Sequence, residues 1–242
     1  MSTGVIFDIK EMTVHDGPGV RVTVFFQGCP LRCLWCHNPE GLSIAPPIRR
    51  ITAKELAQLV KKNTDILQHL KGGVTISGGE PLMQPQFLLD TLEELSPLHR
   101  VLQTSGYGDE ETFKQALKRC ELVLFDLKQM STEIHREFTG KGNELILRNL
   151  EHLKASGKEF VIRLPMIPGV NVDELHFTGV VKALLAVKER VRIEVLPYNP
   201  MAGAKYAKVG MEYRFVPEIN ENEELQYPVH IFDEAGLPYR VL

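Results

Sequence analysis

Cysteine is scarce in this chain, four in 242 residues, and the four are too unevenly placed to staple separate loops, which argues against a secreted disulfide framework. No stretch approaches the roughly 18 consecutive apolar residues of a membrane span. The N-terminal MSTGVIFDIKEMTVHDGPG has no basic segment followed by an apolar run, so neither a membrane anchor nor a secretory leader is expected. Long runs of like charge are missing as well, and with a formal net charge of −3 nothing marks a nucleic-acid footprint. Linkers, low-complexity segments and solenoid repeats are also lacking. What remains describes a soluble, cytoplasmic protein, 43% hydrophobic and 24% charged, with residues 1–242 expected to form one domain around a sizeable core.

Against those absences stands a regular alternation. Short runs rich in Val, Ile, Leu and Phe occur at 21–28, 73–79, 100–106, 121–128, 159–169 and 192–200, each of strand length and each ending near Gly or Pro. Between them lie stretches of helical period at 52–70, 84–98, 109–120, 145–157 and 176–190. Thr52 followed by Glu55 makes a capping box, and Gly157 a helix stop. Strands alternating with helices imply a parallel sheet, and continuous apolar strands imply burial on both faces. The fold class is α/β, with six βα repeats that fit a partial barrel or a doubly wound sheet. Residues 201–221 show no clear period and read as a long loop; 221–242 reads as a helix with Pro228 as a kink or boundary, then a short edge strand.

Polar residues interrupt the apolar runs at one recurring place, the C-terminal ends of the strands. There stand Cys29 and its partners, then Ser77, Gly78, Gly79 and Glu80, then Thr104 and Ser105, then Asp126 and Lys128, then Arg163, and last Tyr198 and Asn199. Parallel α/β folds form their ligand sites at that edge. The loop GCPLRCLWCHNPE places Cys29, Cys33 and Cys36 in a CxxxCxxC spacing. Cubane iron–sulfur clusters usually take four cysteines. Cys120, the fourth, sits between a helix and a strand as a buried, inert thiol would. Three thiolates on four irons leave one iron open to a small molecule, and that makes a cluster catalytic. The alternative is a zinc site that adds His37, although zinc ligands generally come from two separated knuckles. Trp35, inside the loop, would shield a metal from water. The VHDGPGVR segment, residues 14–21, is expected to shape the mouth of the site, and its Asp16 and Arg21 equally to form a loop salt bridge.

CxxxCxxC with an aromatic residue before the last cysteine resembles the signature of the radical S-adenosylmethionine enzymes. The surrounding HDGPGVRVTVFFQGCPLRCLWCHNPE, with GGVTISGGEPL, FDLKQM, VIRLPMIPGVN and VLPYNP in that order, is similar to the activating enzymes of glycyl radical enzymes. The resemblance runs from about Gly4 to Tyr198. It implies a partial (β/α)6 radical SAM barrel, a [4Fe–4S] cluster on Cys29, Cys33 and Cys36, and S-adenosylmethionine chelating the open iron. Gly78, Gly79 and Glu80 match the element that binds the methionyl amino group, and glycines let backbone approach a ligand closely. Asp126 and Lys128 match a DLK element whose lysine reaches the cofactor's carboxylate or ribose; Arg163 and Asn199 align near the adenosine, and Trp35, Ser77 and Thr104 complete the expected cofactor contacts.

The resemblance further implies a 5′-deoxyadenosyl radical that takes hydrogen from a backbone glycine of a partner enzyme, with flavodoxin or ferredoxin as electron donor and the activator a monomer. A monovalent cation site is weakened here, because Gln103 stands where shorter members of that family have an acid and leaves Asp126 alone. Longer members carry an eight-cysteine ferredoxin-like insert after the cysteine loop, whereas this chain passes from NPEGLSIAPPIRR directly to its first helix. A radical enzyme acting on a small molecule, and a zinc-binding interaction module, are the alternatives.

Overall fold

The computed structural model describes residues 2–43, 45–217 and 227–242. Nine strands occur among them: β1 (Thr3–Thr13), β2 (Arg21–Phe26), β3 (Arg49–Thr52), β4 (Gly73–Gly78), β5 (His99–Thr104), β6 (Leu122–Asp126), β7 (Phe160–Pro165), β8 (Val191–Leu196) and β9 (Tyr239–Val241). The helices are α1 (Ala53–Lys61), α2 (Thr64–His69), α3 (Pro85–Glu94), α4 (Glu110–Leu117), α5 (Thr132–Thr139), α6 (Glu144–Ala155), α7 (Glu174–Leu184), α8 (Gly203–Lys208) and α9 (His230–Ala235). The six apolar runs became β2 and β4 to β8, the strands of the expected partial barrel. Among the described residues no helix is long and apolar enough to cross a membrane.

The chain divides into two compact units, Met1–Pro30 with Glu40–Leu124 and Leu145–Lys158, and Leu31–Pro39 with Phe125–Glu144 and Glu159–Leu242. The first orders its strands β3-β1-β2-β4-β5 with the start of β6, and the second holds the end of β6 with β7-β8-β9 in that order. Within the first, β2, β4 and β5 run parallel in register, Thr23 beside Thr75 and Thr75 beside Val101. β1 adds antiparallel on the outer edge of β2, and β3 antiparallel on β1. Within the second, β7, β8 and β9 are parallel. One face of β7 and β8 is wholly apolar: Phe160, Ile162 and Leu164 lie beside Val191, Ile193 and Val195, none more than 1% exposed. Each such side chain removed from water stabilises the fold by about 1.5–3 kcal/mol. The opposite face of the same pair carries Arg163 beside Glu194.

Local chemistry sets the boundaries. Thr52 accepts from the Glu55 backbone N–H while the Glu55 carboxylate accepts from the Thr52 N–H, the capping box expected from sequence. α5 starts on a Ser131 cap and stops where Gly140 turns left-handed, at φ +77°. Gly157, also at φ +77°, follows α6 as the expected stop. The single helix expected over 52–70 is instead two, because the Thr64 hydroxyl donates to the Lys61 carbonyl and Asn63 and Thr64 favour caps over helix interiors. The loop expected over 201–221 contains α8, too short for its period to show; residues 218–221 lie outside the described ones. So does the start of the expected C-terminal helix, whose described part is α9, ended by left-handed Gly236, with β9 as the edge strand beside β8.

Residues 14–21 do not shape a mouth. They lead into the N-terminal end of β2, opposite the end that carries Cys29. There the wholly buried Arg21 guanidinium donates to Thr75 Oγ1 (2.6 Å) and to the carbonyls of Pro18, Val74 and His99. Asp16 accepts from Thr23 Oγ1 (2.7 Å). Burial lowers Arg21 to about 10 while the Asp16 charge pulls it back up. The segment is a polar floor plug held by hydrogen bonds.

Candidate active site

In the first unit, β2 runs out through Gln27 and Gly28 to Cys29, and the turn after β4 is pressed onto that exit. Gly79 N–H donates to Phe26 O (2.8 Å) and Glu80 N–H to Gly28 O (2.8 Å). Gly78 sits at φ +129°, and a Cβ on Gly79 would stand 2.3 Å from the Gly28 carbonyl oxygen. The two glycines are therefore required by backbone packing against the stem of the cysteine loop. Glu80 is fully buried, its carboxylate accepting from Thr104 Oγ1 (2.5 Å), Ser105 N–H (2.9 Å), Ser105 Oγ (2.6 Å) and Leu82 N–H (3.1 Å). Burial pushes this carboxyl up and the four donors pull it back, with a net rise. Thr104 thus faces Glu80, and Ser77 Oγ donates to Gln103 Oε1 (3.1 Å) at the neighbouring strand ends. Cys120 is 2% exposed, and burial pushes its thiol up to about 12.

In the second unit the rest of the cysteine loop rests on the C-terminal end of α5. Arg32 N–H donates to Thr139 O (2.7 Å), Leu34 N–H to Phe138 O (3.1 Å), and Cys36 N–H closes a turn on Cys33 O (3.1 Å). Trp35 is buried with Ile167 and Val170, and Cys33, Ile134, Phe138, Tyr198 and Phe215 pack against them. Burial pushes the Cys33 thiol up to about 12, with Lys128 pulling it down. A thiol in that state would have to give up its proton to bind a metal ion. Lys128 Nζ lies 3.2 Å from Asp126 Oδ2. The wholly buried Asn171 fixes the lysine's backbone, donating to the carbonyls of Lys128 and Pro165 and accepting from Ile167 N–H. Arg163 Nε donates to Glu194 Oε2 (2.9 Å), and Arg240 pairs with the other carboxylate oxygen. Burial pushes Glu194 up, but Arg240 and Arg163 more than offset it and hold it low. Asn199 is exposed and accepts from Met201 N–H (2.9 Å), capping a short turn.

Sequence reasoning missed Glu194, Asn171 and Gln84. Gln84 joins the Val5 backbone to the Gln27 carbonyl just before the cysteine loop. Glu194 had a readable signal, a carboxylate inside the apolar strand RIEVL; a lone Asn or Gln has none.

Among the described residues no three His, Cys, Asp or Glu side chains gather as ligands of one metal ion. The zinc reading through Cys29, Cys33, Cys36 and His37 gains no support from this. A cubane seats each thiolate on a different iron, and the donor set here, three half-buried cysteines in a loop lined by Trp35 and Phe138, has the chemistry of such a cluster.

Six barrel strands, a cysteine loop after the first and polar strand ends define a radical SAM barrel. Residues 23–178 match the radical SAM superfamily. The chain is 33% identical over 216 residues to the pyruvate formate-lyase-activating enzyme of Clostridium pasteurianum, covering 88% of this chain and 90% of that one. It is 30% identical to the trans-4-hydroxy-L-proline dehydratase activating enzyme of Clostridioides difficile, covering 93% and 91%. That alignment spans 285 positions, more than this chain has residues, so the relative carries segments without a counterpart here. A solved domain of a pyruvate-formate lyase-activating enzyme from Bacteroides vulgatus superposes with a TM-score of 0.58 at 31% identity, covering 71% of this chain and 99% of that one. The chain belongs to the radical SAM superfamily and, within it, to the activating enzymes of glycyl radical enzymes.

Proposed function

We propose that Cys29, Cys33 and Cys36 hold a [4Fe–4S] cluster whose open iron takes S-adenosylmethionine. The observation that carries this is the donor set itself: three half-buried thiols in one short loop, and a fourth cysteine sealed in the core of the first unit. When bound and reduced, cluster and cofactor supply a 5′-deoxyadenosyl radical that removes a hydrogen atom from a backbone glycine of the partner enzyme. The residues of the chain bind and orient. The Gly78–Gly79 turn presents backbone to the methionyl group, and Glu80 positions that turn through Thr104, Ser105 and Leu82. Lys128, held by Asn171 and paired with Asp126, meets the anionic or ribose part of the cofactor. Arg163, oriented by Glu194, is assigned with Ser77 and Asn199 to the adenosyl side. Trp35 excludes water. Both units are proposed to act as one domain, as a cytoplasmic monomer that takes its electron from flavodoxin or ferredoxin and pairs with a glycyl radical enzyme.

Anaerobic reconstitution tests the ligand set. About four irons per chain are expected, following the cubane stoichiometry. Cys29→Ala, Cys33→Ala and Cys36→Ala should each abolish cofactor cleavage, and Cys120→Ala should preserve it. Loss of the cluster in the Cys120 variant alone would overturn the assignment.

A further inference from the structure

Apart from Asn199, the segment after β8 has no part in the roles assigned above, yet it gathers four aromatic rings around the second unit's portion of the cysteine loop. Phe215 meets Trp35 edge-on, ring centroids 6.1 Å apart, and Tyr198 at 6.2 Å. Tyr198 and Tyr213 share a hydroxyl hydrogen bond of 3.0 Å. Tyr213 packs edge-on against Tyr206 of α8 at 4.9 Å, where Gly203 leaves room for its ring. A polar staple ties the same helix to the loop, since Lys205 Nζ donates to Asn38 Oδ1 (3.0 Å), two residues past Cys36. Trp35, Phe215 and Tyr198 belong to the apolar cluster that also takes in Cys33. Two attachments of different chemistry, one aromatic and one charged, thus join residues 198–215 to the Cys33–Asn38 stretch.

We propose that residues 198–215 are a cover for the cluster, held down by Phe215 on Trp35 and by Lys205 on Asn38, which keeps water from the thiolates of Cys33 and Cys36. The apolar shell of a metal centre sets solvent access and local dielectric, and through them lability and reduction potential. A reduced cluster carries one more negative charge than an oxidised one, so admitting water favours the reduced state. Opening the cover raises the potential and speeds iron loss. The inference rests on the cluster assignment above, and its test separates the two.

The experiment uses the full chain, reconstituted without oxygen, as wild type, Phe215→Ala, Phe215→Leu, Lys205→Ala and Arg214→Ala. Arg214 is in the same segment but pairs with Glu212 at the surface, and serves as the control. Iron release to a ferrous chelator and the cluster potential by spectroscopic redox titration are measured, with thermal unfolding of each cluster-free protein alongside. Phe215→Ala should release iron severalfold faster and shift the potential upward, Phe215→Leu should fall between it and wild type, Lys205→Ala should release iron severalfold faster, and Arg214→Ala should match wild type. Wild-type release rate and potential in a folded Phe215→Ala protein overturn the cover. So does an equal acceleration in Arg214→Ala. Should Phe215→Ala fail to fold, Lys205→Ala against Arg214→Ala decides on iron release. Wild-type protein that takes up no iron overturns the cluster assignment itself, before any variant is compared.

Discussion

A carboxylate can serve a site by touching the ligand or by holding the turn that does, and Glu80 shows how the two are told apart. Its oxygens are spent on four donors from Thr104, Ser105 and Leu82, all buried. Glu80→Ala would strand the Ser105 and Leu82 N–H groups, each at about 1–3 kcal/mol. The variant should therefore unfold at lower denaturant as well as bind S-adenosylmethionine more weakly; an unchanged unfolding midpoint with binding lost would put the carboxylate on the cofactor instead. His176 makes the second case. It is 1% exposed, its Nδ1 accepts from Met130 N–H, and burial lowers it to about 4 while Asp173 pulls it upward. The folded protein holds this ring neutral, whereas the unfolded chain protonates it near the ordinary 6.5. Stability should fall as pH drops through that interval and level off below about 4, by about 3 kcal/mol in all. Urea midpoints at pH 7.5 and 5 should differ less in His176→Gln than in wild type. Equal differences in the two proteins would remove His176 as the source.

At the scale of elements, the Thr52–Glu55 box tests whether a helix read from sequence is held as it was read. The apolar face of α1, Leu56, Ala57 and Val60, anchors the helix in any case, so Thr52→Ala should cost about 1 kcal/mol without melting it. Urea denaturation measures this, and no loss would mean that packing alone sets the boundary. The six barrel strands were legible because a strand buried on both faces writes an unbroken apolar run. β1 was not, since TGVIFDIKEMT is half-exposed and ends in charge. β3 offers four residues, and α5 only eight, with His135 and Thr139 as its buried residues. The cysteine loop and Lys128 were legible as spacing and as charge at strand ends. The direction of the Glu80 carboxylate was not, nor were Asn171 and Gln84, because which way a polar side chain turns is settled by donors that meet only in the fold. The Asp16 and Arg21 segment was placed at the wrong end of its strand for a related reason: a motif rich in Gly and charge reads as a site wherever it lies.

For the whole molecule the question is how a small enzyme acts on a glycine inside another folded protein. The hydrogen taken lies on the backbone, so recognition cannot depend on a side chain at the reacting residue. A stored glycyl radical survives only when buried, and the partner must therefore release the loop that carries its glycine before reaction and take it back afterwards. That conformational step is expected to make productive encounters slow and the complex transient. A peptide matching the loop escapes this cost and should already react, poorly, because it lacks every other contact of the intact partner. Reduced protein, S-adenosylmethionine and a candidate glycyl radical enzyme, mixed without oxygen, should give a glycine-centred doublet by electron paramagnetic resonance, and the peptide a weaker yield of 5′-deoxyadenosine. A doublet with the intact enzyme but no reaction with any peptide would show that docking of the folded partner, and not loop release, limits the chemistry. Silence from all candidates, with a small metabolite driving 5′-deoxyadenosine formation, would transfer this chain to the radical enzymes of small molecules.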